Sequence, residues 1–307
     1  MALIIFILVY LGIIFNRLPF VNLDRKSFAF IGAVLMILAG EISPKEAVDS
    51  IDFNTLSLLL GMMLIISNLR LEGFFSLLSQ KTTSCAKTPL MLLSIVVFIT
   101  GFASAFLVND AVVLLFTPVI IEVCKKLDLP SIPFLLGEIF SANAGSLMTI
   151  TGNPQNMIIG IASNISYSQF MLYLLPIALL SMVVIIVIIR IFYKKTFYKK
   201  TLTLSKTNHT GEIKNMRLSL LVFALVIIGF FFGKIFGLSI PMIALIGGVL
   251  TLILSKHKAD KIFEGVDWSL LLFFASLFVL VASIKNSNLL SFVFNLHLEE
   301  SPLSILI

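Results

Sequence analysis

The sequence predicts an all-α, polytopic membrane protein, because it is rich in apolar residues, poor in charge and divided into long apolar runs. Of its 307 residues, 59% are hydrophobic and 12% are charged, whereas soluble domains carry about 25% charged residues. The length leaves room for about nine spans of about 20 residues each. The composition therefore excludes a soluble globular protein, and membrane lipid is the first expected partner.

The net charge of +6 would indicate nucleic-acid binding in a soluble protein. In a membrane protein, Lys and Arg collect in cytoplasmic loops, so we expect no nucleic-acid partner. With the N-terminus placed outside, all of the 22 Lys and Arg residues except Lys45, Lys234 and Lys285 fall on one face. This topology predicts a multi-pass protein of the cell (plasma or inner) membrane with residues 194–217 on the cytoplasmic side.

Ten apolar runs, bounded by charge or by Pro and Gly, predict the helices. They are 2–16, 27–40, 55–69, 89–107, 111–123, 132–163, 167–189, 218–236, 240–254 and 268–284. The first run has neither a charged segment before it nor a cleavage site after it, so we interpret it as a retained span. The basic segment 194–217 is predicted to be a linker between two halves, 1–193 and 218–307.

The two halves resemble each other at a spacing of 215 residues, which predicts an internal repeat. FIGAVL (30–35) matches LIGGVL (245–250), and Ile51-Asp52-Phe53 matches Val266-Asp267-Trp268 in the same register. Under the predicted topology the 27–40 run and its partner 240–254 cross the membrane in opposite directions. Inverted repeats of this kind are typical of secondary transporters, whose site lies at the midplane between broken helices.

Residues 88–126 are predicted to form a hairpin with Asn109 and Asp110 at its tip. Charge does not distinguish a re-entrant hairpin from two complete spans, but a leg over 111–123 rises only about 20 Å, short of the hydrocarbon core. Asn and Asp favour helix N-caps, so either residue is expected to start the second leg. An acid at membrane depth indicates function. The alternative is that Asp110 merely caps a helix in a wet loop.

The run 132–163 is too long for one span and contains Thr151-Gly152-Asn153-Pro154-Gln155-Asn156 at its centre. Gly152 permits a sharp turn, and Pro154 suits the first position of a new helix capped by Asn153. The exposed groups of Thr151, Asn153, Gln155 and Asn156 could replace the hydration shell of an ion, and the new helix would direct its positive end at an anion. The alternative is a structural proline kink.

Four residues near the break are predicted to support the site. Glu138 is either a member of a proton relay or a residue near the interface that pairs with a cytoplasmic Lys. Asn143 and Ser146 share a helix face with the break, where support and ligation are both open, and Thr149 lies within it. Cys85 and Cys124 are interpreted as incidental, and we predict no metal site.

Three segments carry a resemblance to a known family. They are FLVNDAVVLLFTPVI (106–120), ANAGSLMTITGNPQNMIIG (142–160) and VDWSLLLFFASLFVL (266–280). Together they resemble the ion transporter superfamily, in particular its arsenite/antimonite efflux permease and sodium/proton antiporter branch with a citrate-transporter-like domain. The resemblance implies inverted repeats, a dimer, and an elevator-like displacement of the hairpin with the broken helix. Asp110 stands where the dicarboxylate branch has a hydroxyl, which favours Na⁺ or H⁺ as the coupling ion.

The sequence therefore predicts a secondary active transporter that moves a small inorganic or organic anion, or a metalloid, and needs no cofactor beyond its coupling ion. A sodium/proton antiporter is the alternative, and a non-transporting membrane scaffold subunit is the alternative of a different class. Enzyme motifs such as His-Glu-x-x-His or a phosphate-binding Gly-rich loop with Lys do not occur.

The repeat also bears on the length of the chain. A spacing of 215 places the partners of Asn109-Asp110 near 324–325 and those of Gly152-Asn153-Pro154 near 367–369, beyond Ile307. We therefore expect a C-terminally truncated member whose complete form exceeds about 400 residues. The second hairpin and the second broken helix would lie in the remainder.

Overall fold

The computed structural model describes residues 1–15, 23–74, 86–163, 165–198 and 213–286, and all regular elements in these ranges are helices. They are α1 (Ala2–Phe15), α2 (Arg25–Leu38), α3 (Pro44–Asp49), α4 (Phe53–Leu71), α5 (Pro89–Phe106), α6 (Asn109–Lys126), α7 (Ile132–Ser146), α8 (Pro154–Ser163), α9 (Tyr167–Phe192), α10 (Lys194–Phe197), α11 (Ile213–Phe232), a 3₁₀ turn (Gly233–Phe236), α12 (Ile240–Leu254), α13 (Ala259–Glu264) and α14 (Trp268–Asn286). The predicted all-α class is confirmed.

Five of the described helices are long and apolar enough to cross a membrane. They are Phe53–Leu71, Pro89–Phe106, Tyr167–Phe192, Met216–Phe236 and Trp268–Lys285. Helix α9 shows the corresponding surface, since Leu172 is 70% exposed and Leu180 is 65% exposed. Such an apolar surface is unfavourable in water and is stable against lipid tails.

The hairpin differs from its prediction in the length of its second leg. Helix α6 begins at Asn109 and ends at Lys126, so it has 18 residues and rises about 27 Å. The leg is therefore not too short to span, and the length argument for a re-entrant hairpin is wrong. The helix is longer than its apolar run because it includes polar residues at both ends, among them Glu122 and Lys126, which form an ion pair of 2.6 Å.

Part of the predicted linker and the end of the second repeat lie outside the described residues, namely 199–212 and 287–307. The beginning of the linker is helical, because α10 starts at Lys194. The Phe197 ring of α10 packs on Phe134 with 6.1 Å between ring centroids. The first residues of this segment therefore contribute to a packed core, which their polarity had not suggested.

The described residues divide into two compact units, 1–56 with 267–286, and 57–266. In the first unit α2 packs against α1 and α14 around the fully buried Ala29, Met36 and Leu280. At one end of α14, Lys26 Nζ donates to the Asp267 carboxylate at 2.9 Å and to Ser269 Oγ at 2.7 Å. The second unit holds the hairpin and the broken helix.

Helix bounds recur at the spacing of the predicted repeat. Helix α3 (44–49) corresponds to α13 (259–264), and α4 (53–71) corresponds to α14 (268–286), with both ends of each pair 215 residues apart. Helices α2 and α12 begin at the same spacing, at Arg25 and Ile240. Shared bounds across three consecutive helices support duplication of this segment, and the inverted orientation of the copies stays a prediction.

Packing inside each unit follows the same correspondence. A Cβ atom on Gly32 would lie 3.2 Å from Leu280 Cδ2, and a Cβ atom on Gly247 would lie 3.0 Å from Ile65 Cδ1. Gly247 and Leu280 follow Gly32 and Ile65 by the same 215 residues. Each compact unit therefore contains the same helix pair, with the two members taken from opposite halves of the sequence.

Candidate functional site

The tip of the hairpin lies directly against the break between α7 and α8. The backbone N–H of Asn109 donates to the carbonyl oxygen of Gly152 at 3.1 Å, and Thr149 Oγ1 donates to the carbonyl oxygen of Ala105. Helix α7 has 15 residues, so the break lies about 22 Å along the broken helix from its start. The contact places the hairpin tip at the same depth, which supports a re-entrant hairpin on grounds other than its length.

Helices α5 and α7 pack with their backbones in contact. A Cβ atom on Gly145 would overlap the backbone carbonyl of Gly101. One turn away along the same interface, the hydroxyls of Thr100 and Ser141 are 2.5 Å apart. Small and hydroxylated residues allow helices in lipid to approach closely and hydrogen-bond to each other, so the hairpin and the broken helix are joined as one packed element.

The second half of the broken helix begins as predicted. Helix α8 starts at Pro154, and Asn153 Oδ1 accepts a hydrogen bond from the backbone N–H of Asn156 at 2.8 Å. This is the N-cap geometry in which a side-chain oxygen satisfies a free amide of the first turn. The positive end of α8 is thereby fixed at the break.

Three predicted ligands of the break are buried and occupied by protein partners. Asn156 Nδ2 donates to the carbonyl oxygens of Ser146 at 3.0 Å and Thr149 at 2.9 Å. Asn153 Nδ2 donates to Ser146 Oγ at 3.0 Å, and the hydroxyls of Thr151 and Tyr167 are 2.8 Å apart. The prediction that these side chains are exposed is wrong, because they bind the backbone carbonyls and hydroxyls that the end of α7 leaves free.

Gly152 is required for a reason other than a left-handed turn. Its φ is not among the positive values of the described glycines, but a Cβ atom at this position would overlap the carbonyl oxygen of Ser146. The chain therefore returns across the end of α7 at a separation that only glycine permits. The same close approach presents the Gly152 carbonyl to Asn109.

The polar groups left accessible are those of Asn109, Asp110, Asn143 and Gln155. Asn109 is half-buried and the other three are exposed. Asn109 Nδ2 donates to Asn143 Oδ1 at 3.2 Å, and Asn143 Nδ2 donates to the carbonyl of Ile139 at 2.9 Å. Within the described residues, no side-chain hydrogen bond is recorded for Asp110 or Gln155, so the structure joins Asn109, Asn143 and Gly152 and leaves these two side chains unengaged.

The predicted N-cap at the hairpin tip is wrong in its residue. Helix α6 begins at Asn109, its N-cap is Val108, and no side chain caps it. Asp110 instead lies in the first turn of the helix, where a negative charge interacts favourably with the helix dipole. The carboxylate is therefore free of the capping role that would have explained it without a ligand.

Glu138 is fully buried, at 0% exposure. Its two carboxylate oxygens lie 3.1 and 3.2 Å from Thr117 Oγ1, the hydroxyl that donates to them. No Lys or Arg of the described residues forms an ion pair with Glu138, so the alternative of a cytoplasmic Lys partner is not supported there. Thr117 and Tyr167 were missed by the sequence analysis because a Thr beside a Pro and a Tyr near a helix start are common features.

Nothing in the described part of the chain resembles a metal centre, since no three His, Cys, Asp or Glu side chains group there. Cys124 is buried, and Cys85 lies outside the described residues. The chemistry of the accessible groups is that of amides, one carboxylate and backbone carbonyls. These are oxygen ligands and hydrogen-bonding groups suited to a hard cation or a hydroxylated solute.

Comparison with known proteins identifies the family. The family model described as a citrate transporter, CitMHS, matches residues 4–307. The chain belongs to the citrate transporter family. The relationship read from the hairpin and break motifs is thereby confirmed.

Citrate transporter family relatives cover most of the chain. A 46 kDa membrane protein of Mycobacterium leprae is 27% identical over 301 residues, which are 94% of this chain and 69% of the relative. The silicon efflux transporter LSI3 of rice (Oryza sativa subsp. japonica) is 37% identical over 169 residues, which are 55% of this chain and 35% of the relative. The chain thus spans about two thirds of the mycobacterial protein and about one third of the rice protein.

A solved structure shares the fold of this citrate transporter family member. The YdaH transporter of Alcanivorax borkumensis matches with a TM-score of 0.52 over 99% of this chain and 74% of that chain, at 14% identity. At this identity the likeness concerns the fold alone. It agrees with an all-helical membrane transporter architecture.

Proposed function

We propose that this chain carries an ion and substrate half-site of a secondary active transporter, formed by the hairpin tip and the break of the broken helix. The observation that carries the proposal is the hydrogen bond from the Asn109 backbone to Gly152, because it joins two interrupted helices at one depth. Non-helical backbone at membrane depth is tolerated only where it is buried in protein or lines a polar cavity. Asn109, Asp110, Asn143 and Gln155 are the proposed ligand groups.

The remaining residues of the predicted site have a supporting role in this proposal. Buried hydrogen bonds from Asn153 and Asn156 hold the break in shape, and Pro154 starts α8. Ser146, Thr149, Thr151 and Gly152 supply the backbone and hydroxyl partners. Their substitution is expected to reduce transport through loss of the local structure rather than through loss of a ligand.

The proposed substrate is a small anion or a hydroxylated metalloid. The positive end of α8 and the amides of Asn109, Asn143 and Gln155 can stabilise either of them, and a rice relative is named as a silicon efflux transporter. Sodium/proton antiport is the second candidate, favoured by the exposed carboxylate of Asp110, which could bind Na⁺ and H⁺ alternately. We further propose a cell-membrane location, cytoplasmic residues 194–217, an elevator-like movement and a dimer.

The test is transport by proteoliposomes that contain the protein expressed from its complete coding locus. Substitution Asp110→Asn removes one charged contact, worth about 1.5–3 kcal/mol, and should reduce ion-driven flux of arsenite, silicate or citrate by about tenfold or more. Glu264→Gln, which removes an exposed carboxylate on α13, is the matched control and should leave flux unchanged.

Two results would contradict the proposed function. Absence of any H⁺- or Na⁺-linked flux in the wild-type protein would favour a non-transporting scaffold subunit. Equal flux in wild type and Asp110→Asn would remove Asp110 from the site. Flux of Na⁺ against H⁺ without any of the three solutes would instead select the antiporter.

We propose that Glu138 binds the coupling proton. Burying a carboxylate without a cation partner is costly, and here one neutral hydroxyl is the recorded donor. The group is therefore suited to carry a proton in the state described. Thr117, which lies on the hairpin, would report movement between the hairpin and the broken helix to this carboxyl.

Substitution Glu138→Gln keeps the shape of the side chain and removes the titratable group. We expect uptake driven by a pH gradient to fall about tenfold or more, whereas exchange of labelled for unlabelled substrate without a gradient continues. Thr117→Val should shift the pH dependence of uptake and preserve its maximum. Gradient-driven uptake by Glu138→Gln at the wild-type rate would show that the proton binds elsewhere.

A further inference from the structure

A second polar cluster lies outside the proposed transport site, at one end of α4, α11 and α12. We call it the Glu72 cluster, and it consists of Asn68, Glu72, Ser219 and Ser255. Asn68 is fully buried and Ser219 is 7% exposed. Asn68 and Glu72 are at the end of α4, Ser219 is in α11, and Ser255 follows α12, so three separate elements contribute to it.

The hydrogen bonds of the Glu72 cluster all run in one direction. The backbone N–H of His257 donates to Ser255 Oγ at 3.0 Å, and Ser255 Oγ donates to Asn68 Oδ1 at 2.6 Å. Asn68 Nδ2 donates to Ser219 Oγ at 2.8 Å, and Ser219 Oγ donates to Glu72 Oε1 at 2.8 Å. A chain of aligned donors stabilises negative charge at its last acceptor, which is the Glu72 carboxylate.

The other carboxylate oxygen, Glu72 Oε2, is buried and has no hydrogen-bond partner. No Lys, Arg or His among the described residues forms an ion pair with Glu72. A buried carboxylate oxygen without a partner is costly. A proton would not remove this cost, because the new O–H group would itself need an acceptor, whereas a bound cation would.

The surroundings favour a cation as well. Helix α4 ends at Leu71, next to Glu72, and α12 ends at Leu254, next to Ser255. The C-terminal ends of helices carry partial negative charge and attract cations. Because the cluster contains one carboxylate, a single positive charge neutralises it, which favours a monovalent ion over a divalent one.

We propose that the Glu72 cluster binds one sodium ion through the Glu72 carboxylate and the Ser219 hydroxyl oxygen. Small hard cations prefer such oxygen ligands. The ion joins α4, α11 and α12, where α4 and α12 already pack so closely that a Cβ atom on Gly61 would overlap the Ala244 backbone. It stabilises this helix group and is separate from the coupling ion at Asp110.

The test is thermal unfolding of the purified protein in detergent, in NaCl and in choline chloride at equal ionic strength. Sodium at about ten times its dissociation constant should raise Tm by about 2–4 °C. The rise should disappear in Glu72→Gln and persist in Asp110→Asn, and in the surface control Glu264→Gln. Persistence in Asp110→Asn separates this site from the proposed transport site.

Ser219→Ala provides a second variant that keeps the carboxylate, in case Glu72→Gln does not fold. It should raise the sodium concentration for half-maximal stabilisation by about tenfold, the effect of losing one ligand. The proposal is overturned if sodium does not raise Tm in the wild type, if the rise survives Glu72→Gln, or if Ser219→Ala responds like the wild type. Stabilisation by lower pH without any sodium effect would also overturn it, in favour of a proton.

Discussion

Substitution Gly145→Ala is expected to lower the free energy of unfolding by about 3 kcal/mol or more, near the upper end of the range for overpacked cores. The added methyl group would overlap the backbone carbonyl of Gly101. A backbone carbonyl in a helix cannot rotate away, so α5 and α7 would have to separate along their interface. Loss of the Thr100–Ser141 contact would follow from the same separation.

The matched control for Gly145→Ala is Gly137→Ala, two turns earlier in the same helix. A Cβ atom there would lie 2.7 Å from Leu93 Cδ1, which is the end of a flexible side chain that can move. Thermal unfolding in detergent, with both variants at the same protein concentration, compares them. Equal losses of stability would show that the close approach of the backbones does not limit the packing of this interface.

Substitution Asn156→Ala is expected to cost about 2–4 kcal/mol of stability, because it leaves the carbonyl groups of Ser146 and Thr149 buried without their donor. The adjacent Gln155→Ala should change stability by less than about 0.5 kcal/mol, because Gln155 is exposed. The two amides were predicted to have the same role, and this pair of variants separates structural support from ligand binding.

The measurements for this pair are unfolding temperature and substrate affinity. We expect Gln155→Ala to fold normally and to bind substrate more weakly, whereas Asn156→Ala should lose folded protein. If Gln155→Ala were the less stable variant, the assignment of the buried amide as the support of the break would be wrong.

The positions of the helices could be predicted because apolar runs and Pro or Gly boundaries are local features of the sequence. The break between Ser146 and Pro154 was predicted for the same reason, since Gly152-Asn153-Pro154 cannot continue a helix. The full length of α6 was missed because its ends are polar residues that a hydropathy run excludes. Helix α10 was missed because four residues give too little pattern.

The division of the break into ligands and supports could not be predicted. Asn156 and Gln155 carry the same chemical group, and only the three-dimensional position of the α7 carbonyls decides which amide is buried. The Glu72 cluster was also beyond reach, because Asn68 and Ser255 are separated by 187 residues. Neither Ser219 nor Ser255 carries any local signal of a shared site.

The exchange of helices between the two halves of the sequence has a consequence for synthesis. Gly32 of α2 finds its packing partner Leu280 only after about 250 further residues have been made, which takes about 12–50 s at ordinary translation rates. During this time α2 must remain in the membrane without the neighbour that covers it in the finished fold. The contact that joins the first and last described helices of its unit is thus among the last to form, and insertion of α14 completes a unit that synthesis began with α1.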